Sequence, residues 1–389
     1  MSSYDLIVVG GGVIGAASAF FAARAGFKTV LLEKRAALGT LTTSASLAAF
    51  RAQFSEPENI AMMLDSIAFF EDIRERTGLA DADIQLVQQG YLFATIAANG
   101  LAQAGQRVAL QRSLGLTDVE LWDGDEARRH FPFLSPAVTA ASFRARDGWL
   151  SPHELTYCYA RGSGATICLE TGVEEILVAG GTVQGVRTAL GRFYAPQVIL
   201  AAGPFSRDLL KPLEISLPID LVRRQRAAVK AHPLIPRGAP MTIDSDTGAH
   251  WHPDGRGAVL AWALPEEPGE PLEEVTPDWD FPALVLDGAS RIAPFWNEVG
   301  SHLARSDVDV RAGQYDMTPD GKPIIGPLDV PQGLFLNTGY SGHGVMASAG
   351  GGRILAELLT GRIAPRDNPF RFSRFGENAG RPAGEKMVL

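Results

Sequence analysis

The chain has 389 residues, 46% hydrophobic and 20% charged, with 42 Gly and 25 Pro; this excludes a disordered or fibrous protein and suggests two or three domains. A net charge of −9, with no long run of one sign, argues against a binder of phosphate backbones, so nucleic acid is not an expected partner. Cys158 and Cys168 form no Cys-x-x-Cys pair and support neither a disulfide framework nor a thiolate zinc site; two free thiols fit a reducing, cytoplasmic setting.

Leu6 to Phe27 is apolar and about long enough to cross a bilayer. Gly10, Gly11, Gly12 and Gly15 interrupt it, and no basic region precedes it, so neither a membrane span nor a signal peptide is expected. It reads instead as a buried strand over Tyr4–Val9, a glycine turn, and a small-residue helix over Ala16–Ala25 closed by Gly26. Thr29–Glu33 is the next strand, which makes a βαβ start. Gly10-x-Gly12-x-x-Gly15 has the dinucleotide-binding pattern. Gly10 permits the tight turn, Gly12 lets backbone approach a pyrophosphate, and Gly15 lets helix and strand pack closely. Glu33 lies about 20 residues on, placed to accept hydrogen bonds from an adenosine ribose. The pattern serves NAD and FAD alike. The segment Gly39–Ser46 separates them, because the hydroxyls of Thr43, Ser44 and Ser46 and the small Ala45 suit a longer cofactor that runs past the first pyrophosphate contact.

Arg51, set in the apolar stretch Ala48–Phe54, reads as more than a solvated charge. An amphipathic helix follows over Glu58–Arg76, with Pro57 just before it and Gly78 just after. Residues 84–150 alternate short strands such as Gln89–Ile96 with a helical segment over Asp123–His130. Gly172–Leu200 carries a hairpin about Gly180-Gly181 and ends in a strand that runs into the turn Ala201-Ala202-Gly203-Pro204. Residues 216–312 are richer in Pro and charge, with strands over Arg226–Ala231 and Ala258–Leu264 and a solvated loop over Pro265–Asp280. Strand Leu334–Thr338 meets the glycine turn Gly339–Gly344 and a helix over Val345–Thr360; the chain after Arg362 reads as a polar surface tail. Glycine turns at three distant places predict a nucleotide domain built from discontinuous segments with a second domain inserted. His250-Trp251-His252 puts two imidazoles on one strand face without the further ligands a metal needs, and His252 is a candidate for the active-site wall. Gly339-Tyr340-Ser341-Gly342-His343 breaks the hydrolase elbow pattern, whose fifth position is Gly.

Four motifs together resemble the FAD-dependent D-amino-acid oxidase superfamily, within it the branch of monomeric sarcosine oxidase, glycine oxidase and dimethylglycine dehydrogenase-like proteins. They are the N-terminal fingerprint with Glu33; Ser44-x-Ser46 followed by Arg51-x-Gln53-Phe54-Ser55-x-Pro57-x-Asn59-Ile60; Ala201–Ser206; and Thr318–Gly326 followed by Gly339–Gly344. The resemblance runs from about Tyr4 to about Phe372. It implies an α/β fold with a Rossmann-type FAD-binding domain of the glutathione-reductase kind over residues 1–83, 151–215 and 313–375. An inserted α+β substrate domain, on a mixed and largely antiparallel sheet, takes 84–150 and 216–312, and 376–389 form a C-terminal tail. The implied reaction removes hydride from the carbon next to the nitrogen of an amino acid or N-substituted glycine, giving an imine that hydrolyses, with O2 or another redox carrier as electron acceptor.

Carried over residue by residue, Arg51 matches the family's carboxylate anchor and His343 its flavin-proximal histidine. Gly342, Gly344 and Val345 offer backbone amides near the flavin carbonyl, with Gly339, Ser341 and Met346 in the same turn. Val13, Ile14 and Lys34 join the N-terminal contacts, Val173 meets adenine through its backbone, and Ala201, Ala202, Gly203 and Phe205 border the cofactor. Three departures stand out. Met346 occupies the place of a second carboxylate-binding Lys in monomeric sarcosine oxidase. Gly313 falls where that enzyme links FAD through Cys, so non-covalent FAD is expected. Gly257–Trp262 lacks the oxygen-activating Lys, which points to a dehydrogenase, although other oxidases of the superfamily manage without it. Two alternatives remain: a 2-hydroxy-acid dehydrogenase using His252 or His343 as base, and a catalytically silent flavin-binding assembly factor.

Overall fold

A computed structural model of the chain describes residues 4–255 and 257–377. Leu6–Val9 is wholly buried, as an apolar run of this kind must be, and lies between Thr29–Leu32 and Gln197–Leu200, parallel to both. The full order of this six-stranded sheet is 324–327, 334–338, 197–200, 6–9, 29–32, 166–168, and its edge strand Ile324–Pro327 alone runs antiparallel. Helix Val13–Arg24 starts three residues earlier than the sequence suggests, because extended Gly12 caps it directly. It packs so closely on helix Gly344–Leu359 that a Cβ at Gly352 would stand 2.6 Å from the Phe21 ring.

The second sheet has eight strands in the order 308–317, 220–230, 257–261, 250–254, 241–244, 91–95, 140–144, 120–123. Its neighbours are antiparallel except Met241–Asp244 with Tyr91–Thr95. Helices Phe281–Ser290 and Phe295–Ser301 cover one face over a core of Trp251, Phe281 and Trp296. A three-stranded meander, 173–179, 182–188 and 191–194, includes the hairpin expected about Gly180-Gly181, both at positive φ.

Several sequence expectations are corrected. The helix expected over 58–76 is two pieces, Pro57–Glu71 and Ile73–Thr77, broken at Asp72. Arg226–Ala231 is part of the longer strand Asp220–Lys230, whose three arginines masked its alternation. The boundary expected at 313 falls inside strand Val308–Met317, which pairs along its length with Asp220–Val229. The loop read as solvated at 265–280 is strapped down: Leu272 N donates to Gln314 Oε1 at 2.7 Å, and Gln314 Nε2 donates to the Glu270 carbonyl at 2.8 Å. The stretch after Arg362 folds back on the edge strand, where Phe370 is buried and Arg374 pairs with Asp320 at 2.8 Å. Of the tail expected over 376–389, residues 376 and 377 end the short helix Arg374–Glu377, and the rest lies outside the described residues. Both cysteines are free, and among the described residues no helix is long and apolar enough to cross a membrane.

Candidate functional site

Two connected spaces lie between the sheets. The first is a cleft of about 390 Å³ that opens along the glycine turn after Leu6–Val9. Gly10 has φ +106°, and a Cβ there would come within 2.5 Å of the Ala201 carbonyl oxygen. A Cβ on Gly15 would sit 1.8 Å from the Gly10 oxygen, so this glycine serves the helix–turn crossing and not the cleft wall. Gly12 is different: its nearest neighbour would be Thr43 Oγ1 at 3.4 Å, and open cleft lies beyond. No side chain caps helix Val13–Arg24 and no acid stands in its first turn, so its positive end faces the cleft. Val13 N donates to Thr43 Oγ1 at 3.2 Å. Glu33 accepts from Gly11 N at 2.6 Å and Arg35 N at 2.8 Å, which aims its carboxylate at one end of the cleft.

The same wall carries Ile14, Lys34, Ser46 and Val173, then Ala201, Ala202, Gly203 and Phe205, and at its far end Gly342, Gly344 and Val345. Helix Gly344–Leu359 begins there, again with no acid in its first turn. A carboxylate at one end, an uncapped helix N-terminus beside a bare glycine, and a second helix N-terminus at the other end fit FAD. No cysteine borders the cleft, and a Cβ on Gly313 would already press to 3.0 Å from the Ala45 Cβ.

Other expected contact residues shape the turns. Ser44 Oγ donates to the Leu41 carbonyl at 2.8 Å, and Ser341, at φ +50°, accepts from Thr318 N at 3.0 Å. Gly339 packs against Thr318, to whose methyl a Cβ would stand 2.7 Å away. Asp316 and Glu273 are among the wall residues that sequence reading missed. Asp316 is half-buried and accepts from Gly339 N at 2.7 Å, and desolvation pushes its carboxyl up. Glu273, from the strap, pairs with Lys34 at 2.5 Å and with Arg35, while the Lys34 ammonium lies 3.2 Å from the centre of the Phe205 ring. The Lys34 contact holds the Glu273 carboxyl below its usual range. An exposed pair of this kind contributes about 0.2–1 kcal/mol, so Glu273→Ala is expected to raise the FAD dissociation constant about 2–5-fold, measured by flavin fluorescence on dilution.

The second space, about 60 Å³, shares Ser46, Tyr315 and Gly342 with the cleft. Arg51 lies in its wall, 5% exposed, with its guanidinium 4.2 Å from the centre of the Phe54 ring and 5.2 Å from that of Phe93. Its Nη1 donates to the Gln53 carbonyl at 2.6 Å. Asp147 anchors this loop from below: it accepts from Ala52 N at 3.1 Å and Gln53 Nε2 at 3.3 Å and pairs with Arg144. Burial pushes Asp147 up to about 6 against the pull of Arg144, which leaves it ionised at neutral pH.

His343 stands in the same wall with Ala45 and Met346. Its Nδ1 donates to the Tyr340 carbonyl at 3.1 Å, so buried Nε2, which has no partner among the described residues, bears the lone pair. Burial first, then the Arg51 charge, push its pKa down to about 3. His252 is not in the wall; it stacks on Trp149 with centroids 4.6 Å apart. The histidine of that strand which borders the cavity is His250, whose Nδ1 donates to the Gly248 carbonyl at 2.7 Å and which burial pushes down to about 4. Tyr91, Arg224, Gln225 and Tyr315 are also in the polar wall, and none of the residues lining the cavity is acidic.

The model of the family DAO, FAD dependent oxidoreductase, matches residues 5–358. FAD-dependent oxidoreductase domain-containing protein 1 of Xenopus laevis is 28% identical over 95% of this chain and 82% of its own length. D-amino acid dehydrogenase of Cereibacter sphaeroides is 30% identical over 75% of this chain and 65% of its own. Among solved structures, L-proline dehydrogenase from P. horikoshii superposes with a TM-score of 0.83 at 25% identity, covering 96% of this chain and 98% of that one. Glycine oxidase from Geobacillus kaustophilus gives 0.80 at 25% identity, covering 96% and 99%. Cleft, glycine turns and family match agree: the chain belongs to the DAO family of FAD-dependent oxidoreductases.

Proposed function

We propose that the protein oxidises the carbon–nitrogen bond of an amino acid or N-substituted glycine held between Arg51 and His343. The observation that carries this reading is the buried Arg51 cation in a small cavity that opens on the cofactor cleft. FAD, bound non-covalently, supplies the hydride acceptor, and the protein supplies orientation and field. Arg51 binds the substrate carboxylate through its planar fork and so fixes the adjacent carbon. The cavity wall offers the Arg51 charge and no carboxylate, which disfavours an ammonium and favours the neutral amine that can release hydride. His343 Nε2 accepts a hydrogen bond from the substrate N–H. The first amides of helix Gly344–Leu359 have no partners within the helix and stabilise negative charge at that end of the cleft.

A 2-hydroxy acid needs a base to take its alcohol proton, and histidines held near 3 and 4 are weak bases at neutral pH. The test is anaerobic mixing of the yellow protein with sarcosine, N-alkyl glycines, L-proline, L- and D-amino acids and 2-hydroxyglutarate. Bleaching by amine acids is expected; bleaching by 2-hydroxyglutarate alone, or by nothing, overturns the reading. Admitting air then tells an oxidase from a dehydrogenase.

Burial also pushes His252 below its ordinary value, and the two histidines of the cavity wall add to the same acid response. Their folded values, about 3 and about 4, lie below the ordinary 6.5, so the unfolded chain binds more protons between pH 6.5 and 4. Stability therefore falls as pH drops through that window. Tm of the holoprotein is expected to decline from pH 6.5 to 4, with a shallower slope for His250→Gln.

A further inference from the structure

Arg224 is the cavity residue that the proposed chemistry leaves unused. In strand Asp220–Lys230 the side chains alternate, so Arg223 and Arg224 face opposite ways. Arg223 takes Glu266, from Nε at 2.9 Å and Nη2 at 2.7 Å. Arg224 lines the cavity with Arg51 and forms no ion pair among the described residues. Its Nη1 is tied to two carbonyls, Arg223 at 3.0 Å and Leu264 at 3.2 Å, which orients the guanidinium. The other edge is left over: among the described residues Nε is buried without a partner, and the side chain's hydrogen bonds are both from Nη1. The Nε–Nη2 edge is one of the two that bind a carboxylate bidentately.

We propose that Arg224 forms a second anion subsite, so that the preferred substrate is a short amino or imino acid with two carboxylates, one on Arg51 and one on Arg224. The proposal rests on the amino-acid reading above. With His250 and His343 neutral, Arg224 adds to the wall a positive charge beyond the one assigned to the first carboxylate. Burial depresses the Arg224 pKa by more than Tyr315 and Glu266 raise it. The cavity volume of about 60 Å³ keeps the two acids only a few carbons apart.

The test compares wild type, Arg224→Met and Arg224→Lys, all with full flavin content as the check on folding. Anaerobic flavin reduction is followed with iminodiacetate, L- and D-aspartate, sarcosine and glycine. Wild type is expected to favour at least one diacid by about tenfold or more in second-order reduction rate. Arg224→Met is expected to lose that preference by about 10–100-fold, with sarcosine changed less than about twofold and Arg224→Lys in between. Equal losses on mono- and diacids would mean that both arginines share one carboxylate and would overturn the proposal, as would no diacid preference in wild type. A second readout needs no turnover: malonate or succinate should perturb the flavin spectrum of wild type at a concentration at least about tenfold lower than acetate does, a margin that Arg224→Met should lose. Spectral selectivity without reduction by any amine acid would keep the subsite and overturn the amine chemistry; loss of both would overturn both.

Discussion

Arg51→Met is expected to raise the dissociation constant of carboxylate ligands by about 30–100-fold, about 2–3 kcal/mol, with FAD content unchanged. Arg51 belongs to a loop fixed from beneath by Asp147, whose bonds to Ala52 N and Gln53 Nε2 do not involve the Arg51 side chain. Methionine keeps apolar contact with Phe54 and Phe93, where the guanidinium now lies, so the substitution removes the charge and its fork with little loss of packing. Arg51→Lys restores the charge and not the fork, and should recover part of the affinity. Flavin spectral titration reads these constants without turnover. A second readout separates binding from simple loosening. The Arg51 charge helps hold His343 near 3, so in Arg51→Met that imidazole should titrate at higher pH, which NMR of the ring detects. Unchanged ligand binding would place the carboxylate anchor elsewhere.

The nucleotide half was legible because backbone chemistry dictates it. A glycine turn between a buried apolar strand and a small-residue helix has few other uses, and Gly10 and Gly15 have the local geometries their spacing foretold. The cavity wall was legible where it came from motifs, as with Arg51 and His343, and illegible where it came from strand direction. Arg224 and His250 face the cavity while Arg223 faces away, and no composition shift marks which parity points inward. The i, i+2 relation of His250 and His252 was read correctly as one face, but Trp149, far off in sequence, covers His252 and leaves His250 at the cavity. Glu273 was hidden for a related reason. A Pro- and Glu-rich loop looks solvated until Gln314 straps it beside Lys34.

Gly12→Ala and Gly15→Ala should fail in different ways, and the contrast tests the cleft directly. At Gly15 the new methyl would meet the Gly10 carbonyl oxygen at 1.8 Å, a backbone atom that moves only if the helix–strand crossing opens. Overpacking of this kind costs about 1–3 kcal/mol or more. Gly15→Ala is therefore expected to express poorly, melt early and retain little flavin. At Gly12 the methyl would meet only Thr43 Oγ1 at 3.4 Å, ordinary contact, and φ is −70°, open to any residue. The apoprotein should then fold as wild type does, with the same apo Tm. The methyl would nonetheless stand over the helix N-terminus, where the pyrophosphate must come close to the backbone amides. FAD affinity should fall by about 100-fold or more, which holoprotein Tm against added FAD measures, since stabilisation by a ligand scales with its concentration over Kd. Equal flavin retention by wild type and Gly12→Ala would show that the pyrophosphate does not lie over Gly12, and would move the cofactor's centre along the cleft toward Thr43 and Ser46.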